Sequence, residues 1–250
     1  MNDWYRPIPF GRLILVHRQI WRAQRGVLAG CLLALVAGLL SVAAGMATLS
    51  GTVTTAMVGA RFAAFPVLTF TLLWTAVGAI AAASPFKSGW AAVVLTVAPR
   101  RGRWLAACMA SFLLLTVAVT ALFAVSAAVL TAAVLAARGH GLAPAAGIAR
   151  PMGVLLVMSV VEAGIGFLLG AATRSVPASI IIGYVVAPVL PMARFGSADL
   201  GRWLDLNGAL TALSSAHVGG LTLLSAVTAV ALWAGVPTLV AWSRLRSSLT

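Results

Sequence analysis

Long apolar runs broken by short polar or glycine-rich interruptions set the pattern of this 250-residue chain. Six runs reach or exceed the roughly 18 residues that mark a membrane-spanning helix: Val27–Leu49, Phe62–Ser84, Trp104–Ala136, Met152–Thr173, Val176–Ala193 and Gly219–Ser243. The runs are continuous and rich in Ala, Leu and Val, whereas a transmembrane β-barrel shows alternating segments of about 10 residues. In hydrocarbon each span must satisfy its own backbone hydrogen bonds, which a helix does. The pattern therefore predicts an all-α, polytopic membrane protein with six transmembrane helices. The third run is longer than the ~20 residues a bilayer needs, so it is expected to project into the cytoplasm. A cleavable signal peptide is not expected, because the first run is longer than a signal-peptide core and follows 26 residues of basic, amphipathic sequence.

Composition narrows the reading to one membrane domain, residues 1–250, since 62% of residues are hydrophobic and only 8% are charged. The formal charge of +13 then becomes a statement about orientation. With a cytoplasmic amino terminus, Arg6, Arg12, Arg18, Arg22, Arg25, Lys87, Arg100, Arg101, Arg103, Arg174, Arg244 and Arg246 fall inside. Arg61, Arg138, Arg150, Arg194 and Arg202 fall outside. This asymmetry follows the positive-inside rule and predicts that both termini are cytoplasmic. The cations are scattered between hydrophobic runs rather than gathered on a folded face, which argues against nucleic acid as a partner. Cys31 and Cys108 lie within apolar runs and have no metal-ligand spacing, so they read as small hydrophobes.

Catalytic chemistry is sparse. His17, His140 and His217 are far apart, the acids are Asp3, Glu162, Asp199 and Asp205, and neither HExxH nor GxSxG occurs. A phosphate-binding P-loop needs glycine directly before its lysine, and the single lysine, Lys87, follows Phe86. No cofactor is expected on this chain, and any ATP-driven function needs ATP and Mg²⁺ in a separate ATPase.

Residues 1–26 read as an interfacial elbow segment. In "GRLILVHRQIWRAQRG" Leu13, Val16 and Ile20 repeat at helical spacing with Ile14 and Trp21 beside them, while Arg18, Arg22 and Arg25 repeat on another face. Such a helix lies on the membrane, either as a topology anchor or as an elbow that touches a cytoplasmic partner.

The sharpest interruption is "SPFKSGWAAVVLTVAPRRGRW", residues 84 to 104. Pro85 suits the first turn of a helix, where its missing N–H has no partner to lose. Trp90, Val93, Val94 and Val97 then share a face at helical spacing. "PFKSGW" (85–90) and "APRRGRW" (98–104) resemble the loop between spans two and three of type-2 ABC exporter permeases, in particular the compact six-span actinobacterial kind. The likeness runs along the whole chain: a basic elbow, six spans, "AATRS" closing span four and "RWLDLNGAL" before span six. This resemblance implies that residues 85–103 form a cytoplasmic coupling helix seated in the partner ATPase, with Pro85, Phe86, Lys87, Ser88, Gly89, Trp90, Val93 and Val97 in the contact. It further implies short re-entrant helices on the outer side in 194–218, with Trp203 and Asp205 at an outer gate. Pro85 stands where the family usually carries glutamate, which makes a heteromeric pair of permeases worth considering. A helix that merely rests on lipid is the alternative for 85–103, and a plain loop for 194–218.

Glu162 lies 11 residues from Pro151 and 12 from Arg174, near the bilayer midplane, where a charge is most costly. It belongs either to a substrate path or subunit interface, or to a structural hydrogen bond with Ser or Thr on a neighbouring helix. Gly166 and Gly170 follow at the GxxxG spacing of close helix approach. Pro177, Pro188 and Pro191 are expected to kink span five.

Taken with the resemblance, these residues imply the permease subunit of an ATP-driven exporter of a hydrophobic or amphiphilic drug, peptide or lipid, in a bacterial plasma membrane. Its partners are cytoplasmic ABC ATPase subunits, a second copy or a related permease, and the lipid bilayer. Two other classes stay open: an ion-coupled secondary transporter using Glu162, and a membrane-embedded enzyme.

Overall fold

A computed structural model describes residues 9–49, 51–64, 66–91, 93, 101–141, 143–186 and 223–247. Of these residues 91% are helical, with no strand among them. In chain order the helices are α1 (Phe10–Ala23), α2 (Arg25–Ala47), α3 (Thr55–Ala64), α4 (Pro66–Lys87), α5 (Arg101–Ala137), α6 (Ala149–Thr173), α7 (Val176–Ile181) and α8 (Leu223–Ser247). A 3-10 turn, Ala143–Ile148, leads into α6, and α7 continues into a wider π turn, Ile182–Val186. Arg25–Ala47, Arg101–Ala137 and Ala145–Thr173 are each long and apolar enough to cross a membrane.

The second expected span, Phe62–Ser84, falls on the end of α3 and on α4, which begins at Pro66; Phe65 between them lies outside the described residues. Proline suits a first turn. The 187–193 part of the fifth run and residues 219–222 of the sixth lie outside the described residues, as do Pro188 and Pro191.

α4 and α6 run in the same direction and make the closest pair. A Cβ at Gly166 would lie 2.2 Å from the Thr75 carbonyl oxygen, one at Gly78 2.5 Å from that of Ala163, and one at Gly170 2.7 Å from that of Ala79. Backbone meets backbone because no side chain intervenes, the mechanism by which small residues drive helix association in lipid. α2 crosses α4 in the opposite sense, with Gly30 against Val77 and Gly26 against Ile80. The centre of the core is Phe112 on α5, fully buried. Its ring contacts Trp21 of α1 at 6.0 Å, Trp74 of α4 at 6.3 Å and Phe167 of α6 at 5.8 Å.

α5 has 37 residues, about 55 Å, against a hydrocarbon core of about 30 Å. Its carboxyl end is pinned: Arg138 donates from Nη1 to Met46 O (3.2 Å) and Leu49 O (2.9 Å), and from Nη2 to Ala47 O (3.1 Å). These carbonyls lie at and just past the end of α2, where a guanidinium bonds them and offsets the negative end of the helix dipole. With that end level with α2, the excess length of α5 emerges at the other end, beside α1.

Candidate functional site

At that other end the starts of α2 and α5 gather with the carboxyl ends of α4, α6 and α8. It carries Arg18, Arg25, Lys87, Arg101, Arg103, Arg174 and Arg244, whereas Arg61, Arg138 and Arg150 belong to the opposite end.

The residues of the 84–104 interruption meet there. Pro85 does not start a helix as expected: it is buried in the last turn of α4, which runs on through Phe86 and Lys87. Its ring removes the one bond that an N–H at 85 would make to Ala81 O, and the helix continues through it. The reversal comes at Gly89, whose φ of +73° is open to glycine and strained for other residues. Ser88 and Gly89 N–H close the turn on Ser84 O (3.0 Å) and Phe86 O (3.3 Å), and helix resumes at Trp90. Lys87, Ser88 and Gly89 are exposed, as is Val93. Val94 and Val97 lie outside the described residues, as do Trp203 and Asp205.

Phe86 and Trp90 pack inward rather than out. Trp104 of α5 sits 6.4 Å from Phe86 and 6.3 Å from Trp90, ring centre to ring centre, and His17 of α1 completes the group at 6.0 Å from Trp104 and 6.4 Å from Trp90. Arg174 stacks its guanidinium 5.1 Å above the Phe86 ring. Arg174 is also the residue at which α6 ends, with φ +55°, a left-handed conformation that costs a side-chain-bearing residue about 1–2 kcal/mol. Two contacts hold it: the Phe86 stack, and a hydrogen bond from Nη2 to Arg244 O at 2.8 Å. The "AATRS" turn then reverses the chain tightly, with Ser175 N–H donating to Thr173 Oγ1 and that oxygen 2.7 Å from Ser179 Oγ.

α1 keeps most of the expected stripe: Leu13, Ile14 and Ile20 are half-buried and Trp21 is buried, whereas Val16 is exposed and His17 is buried. Trp21 Nε1 donates to Ser111 Oγ, and His17 Nδ1 donates to Leu13 O at 2.6 Å. The helix is therefore held against protein along the projecting start of α5. Arg18 and Arg25 are exposed, and Arg22 lies in the last turn of α1. Burial among aromatic rings pushes the His17 imidazole below its ordinary value, and the bond to Leu13 opposes this more weakly.

Deep in the bundle, Glu162 is buried between α4 and α6 and accepts a hydrogen bond from Thr75 Oγ1. Gly166 and Gly170 lie on the same helix face and make the close approach to α4 described above. On the π turn, beside Tyr184, Gly183 brings its own backbone against the Thr75 methyl. Widened turns of this kind are frequent at functional sites. Cys31 and Cys108 are buried and unpaired with each other. Among the described residues no three His, Cys, Asp or Glu side chains converge.

Sequence reasoning overlooked His17, Trp104 and Thr75. His17 was legible as the residue four on from Leu13 and four before Trp21. Nothing local distinguished Thr75 within its apolar run.

No protein-family model, curated protein or solved structure matches the chain. What the helices define by themselves is a membrane-embedded protein of the all-helical class.

Proposed function

We propose that the chain is the membrane-spanning permease subunit of a type-2 ATP-binding cassette exporter. It moves a hydrophobic or amphiphilic compound out of the cell, with both termini in the cytoplasm and six spans in the plasma membrane. ATP and Mg²⁺ are bound by separate ATPase subunits, and the path runs between this permease and a second copy or a related one.

The observation that carries this reading is the junction of Phe86 and Trp90 with Trp104, His17 and Arg174. A partner that pushes on the exposed Lys87–Gly89 turn acts on rings wedged among α1, α4, α5 and the end of α6. Side chains packed this closely transmit a displacement rather than absorb it. Closure of an ATPase pair against this turn therefore moves several helix ends together. Co-expression with candidate ATPase subunits tests the proposal. The purified chain alone should hydrolyse no ATP, and crosslinkers placed at residues 87–89 should capture the ATPase. Labelling of these positions by an impermeant reagent from outside the cell would overturn it.

The buried Thr75–Glu162 pair favours one second reading, an ion-coupled transporter with Glu162 as the proton site. Uptake into inverted vesicles separates the two: ATP with its ATPase drives the first, and an imposed proton gradient drives the second.

A further inference from the structure

His17 is bonded at one ring nitrogen and stranded at the other. Nδ1 donates to Leu13 O, so Nε2 is the bare nitrogen, and that atom is buried without a hydrogen-bond partner. Trp104 Nε1, on the neighbouring ring, is also buried without one, and an indole N–H only donates. A proton arriving on Nε2 therefore finds no acceptor while α1 stays packed. The charged groups on the surrounding elements repel it: Arg25 on α2, Lys87 on α4, Arg101 and Arg103 on α5 and Arg174 above the Phe86 ring, with Arg12 and Arg18 on α1 itself. Cys108, one turn beyond Trp104, is a thiol and neutral in mild acid. Glu162, the one carboxylate among the described residues, lies about 18 Å along α6 from Arg174.

The same rings hold the Lys87–Gly89 turn. Phe86 and Trp90 flank it, both rest on Trp104, and His17 closes the group by packing on Trp90 and Trp104. We propose that α1 is a proton-operated clasp on this turn, closed while His17 is neutral and opened when the imidazole is protonated. Ring faces attract a cation, but by less than the hydration that a buried charge gives up. A charged His17 regains that hydration when α1 leaves, whereas the neutral ring is held by the aromatic group. Burial accordingly sets its proton affinity below the ordinary value. Opening uncovers Trp90 and Trp104, so the turn loses part of its support. The clasp does not depend on the chain being an exporter.

Buried alanines report the opening. Ala107 lies on α5 between Trp104 and Ser111, the two residues that α1 contacts through His17 and Trp21, and Ala91 follows Trp90; both are buried. The full chain, with Cys31→Ala and Cys108→Ala and carrying either Ala107→Cys or Ala91→Cys, is reconstituted in lipid nanodiscs and treated with a water-soluble methanethiosulfonate. Each rate is divided by that of Val93→Cys, an exposed position, which cancels the pH dependence of the thiol itself. From pH 7.5 to pH 5.5 both normalised rates should rise about fivefold, because one extra proton in the open state shifts the ratio of open to closed by at most about tenfold per pH unit. His17→Phe should abolish the rise, and His17→Arg should give the fast rate already at pH 7.5. A rate at Ala107→Cys that ignores pH, or a rise that persists in His17→Phe, would overturn the clasp. A rise at Ala107→Cys without one at Ala91→Cys means that α1 moves without the turn, which overturns it equally. If His17→Arg fails to fold, the His17→Phe comparison decides alone.

Discussion

Thr75 on α4 hydrogen-bonds to Glu162 on α6, while the backbone of Thr75 lies against Gly166 one turn further along. A polar contact and a backbone contact thus fall at one level of the tightest helix pair. Interhelical hydrogen bonds within membranes average about 0.6 kcal/mol and reach about 1.7. Thr75→Val and Glu162→Leu should each lower stability by that order, with a coupling of similar size in the double-mutant cycle. Glu162→Gln keeps an acceptor and should unfold like the wild type in a denaturation titration. If Glu162→Gln nevertheless abolishes transport, ionisation of Glu162 matters to function, and the proton-coupled reading gains.

Glycine contacts in the same pair discriminate sharply between positions. Gly166→Ala places a methyl within 2.2 Å of a backbone oxygen that cannot move aside, whereas a Cβ at Gly153 meets nothing within 4 Å. Thermal denaturation in detergent should show a loss of about 1–3 kcal/mol for Gly166→Ala. Gly153→Ala should be neutral or slightly stabilising, since alanine favours helix. Equal behaviour of the two variants would contradict the close approach.

Arg138 ties α5 to α2 through three carbonyl oxygens. Arg138→Ala should lower stability by about 1–2 kcal/mol and release the end of α2, read as faster amide exchange at residues 45–49. Arg138→Lys keeps the charge without the fork and should recover part of the loss.

His17 makes the packing of α1 dependent on pH. Its imidazole is held below the ordinary value near 6.5, because the charged form loses hydration among Trp90, Trp104 and neighbouring apolar groups. When α1 detaches, His17 binds a proton that the packed state refuses. The stabilisation is therefore complete above about pH 6.5 and fades as pH falls through the lower folded-state value. Thermal melts should show a decreasing midpoint on acidification, and His17→Phe should flatten that part of the profile.

The turn at Lys87–Gly89 allows folding and coupling to be separated. Lys87 is exposed, so Lys87→Glu should leave the melting temperature unchanged. In the exporter reading it should lower transport per ATP hydrolysed. Gly89→Val forces a β-branched residue to φ +73° and should cost about 1–2 kcal/mol while re-aiming Trp90. Normal coupling in both variants would remove this turn from the ATPase contact.

The hydrophobic pattern by itself determined that the chain is helical and membrane-embedded, and it located the long helices to within a few residues. Continuous apolar runs leave the backbone no other way to satisfy its hydrogen bonds in lipid. It also singled out Glu162 and the Gly166/Gly170 pair, because a lone carboxylate and a small-residue spacing are visible without coordinates. Tertiary structure decided what these residues touch. Thr75 became the partner of Glu162 because α4 and α6 run in the same direction and meet through glycine. Pro85 was drawn into α4, since the apolar face of that helix continues past it. On α1 the buried stripe took in His17 and left out Val16 because the projecting start of α5 offered aromatic rings to pack against. Periodicity records which face of a helix is apolar; which neighbour covers that face depends on contacts between residues about 90 apart in the chain, such as Trp21 and Ser111.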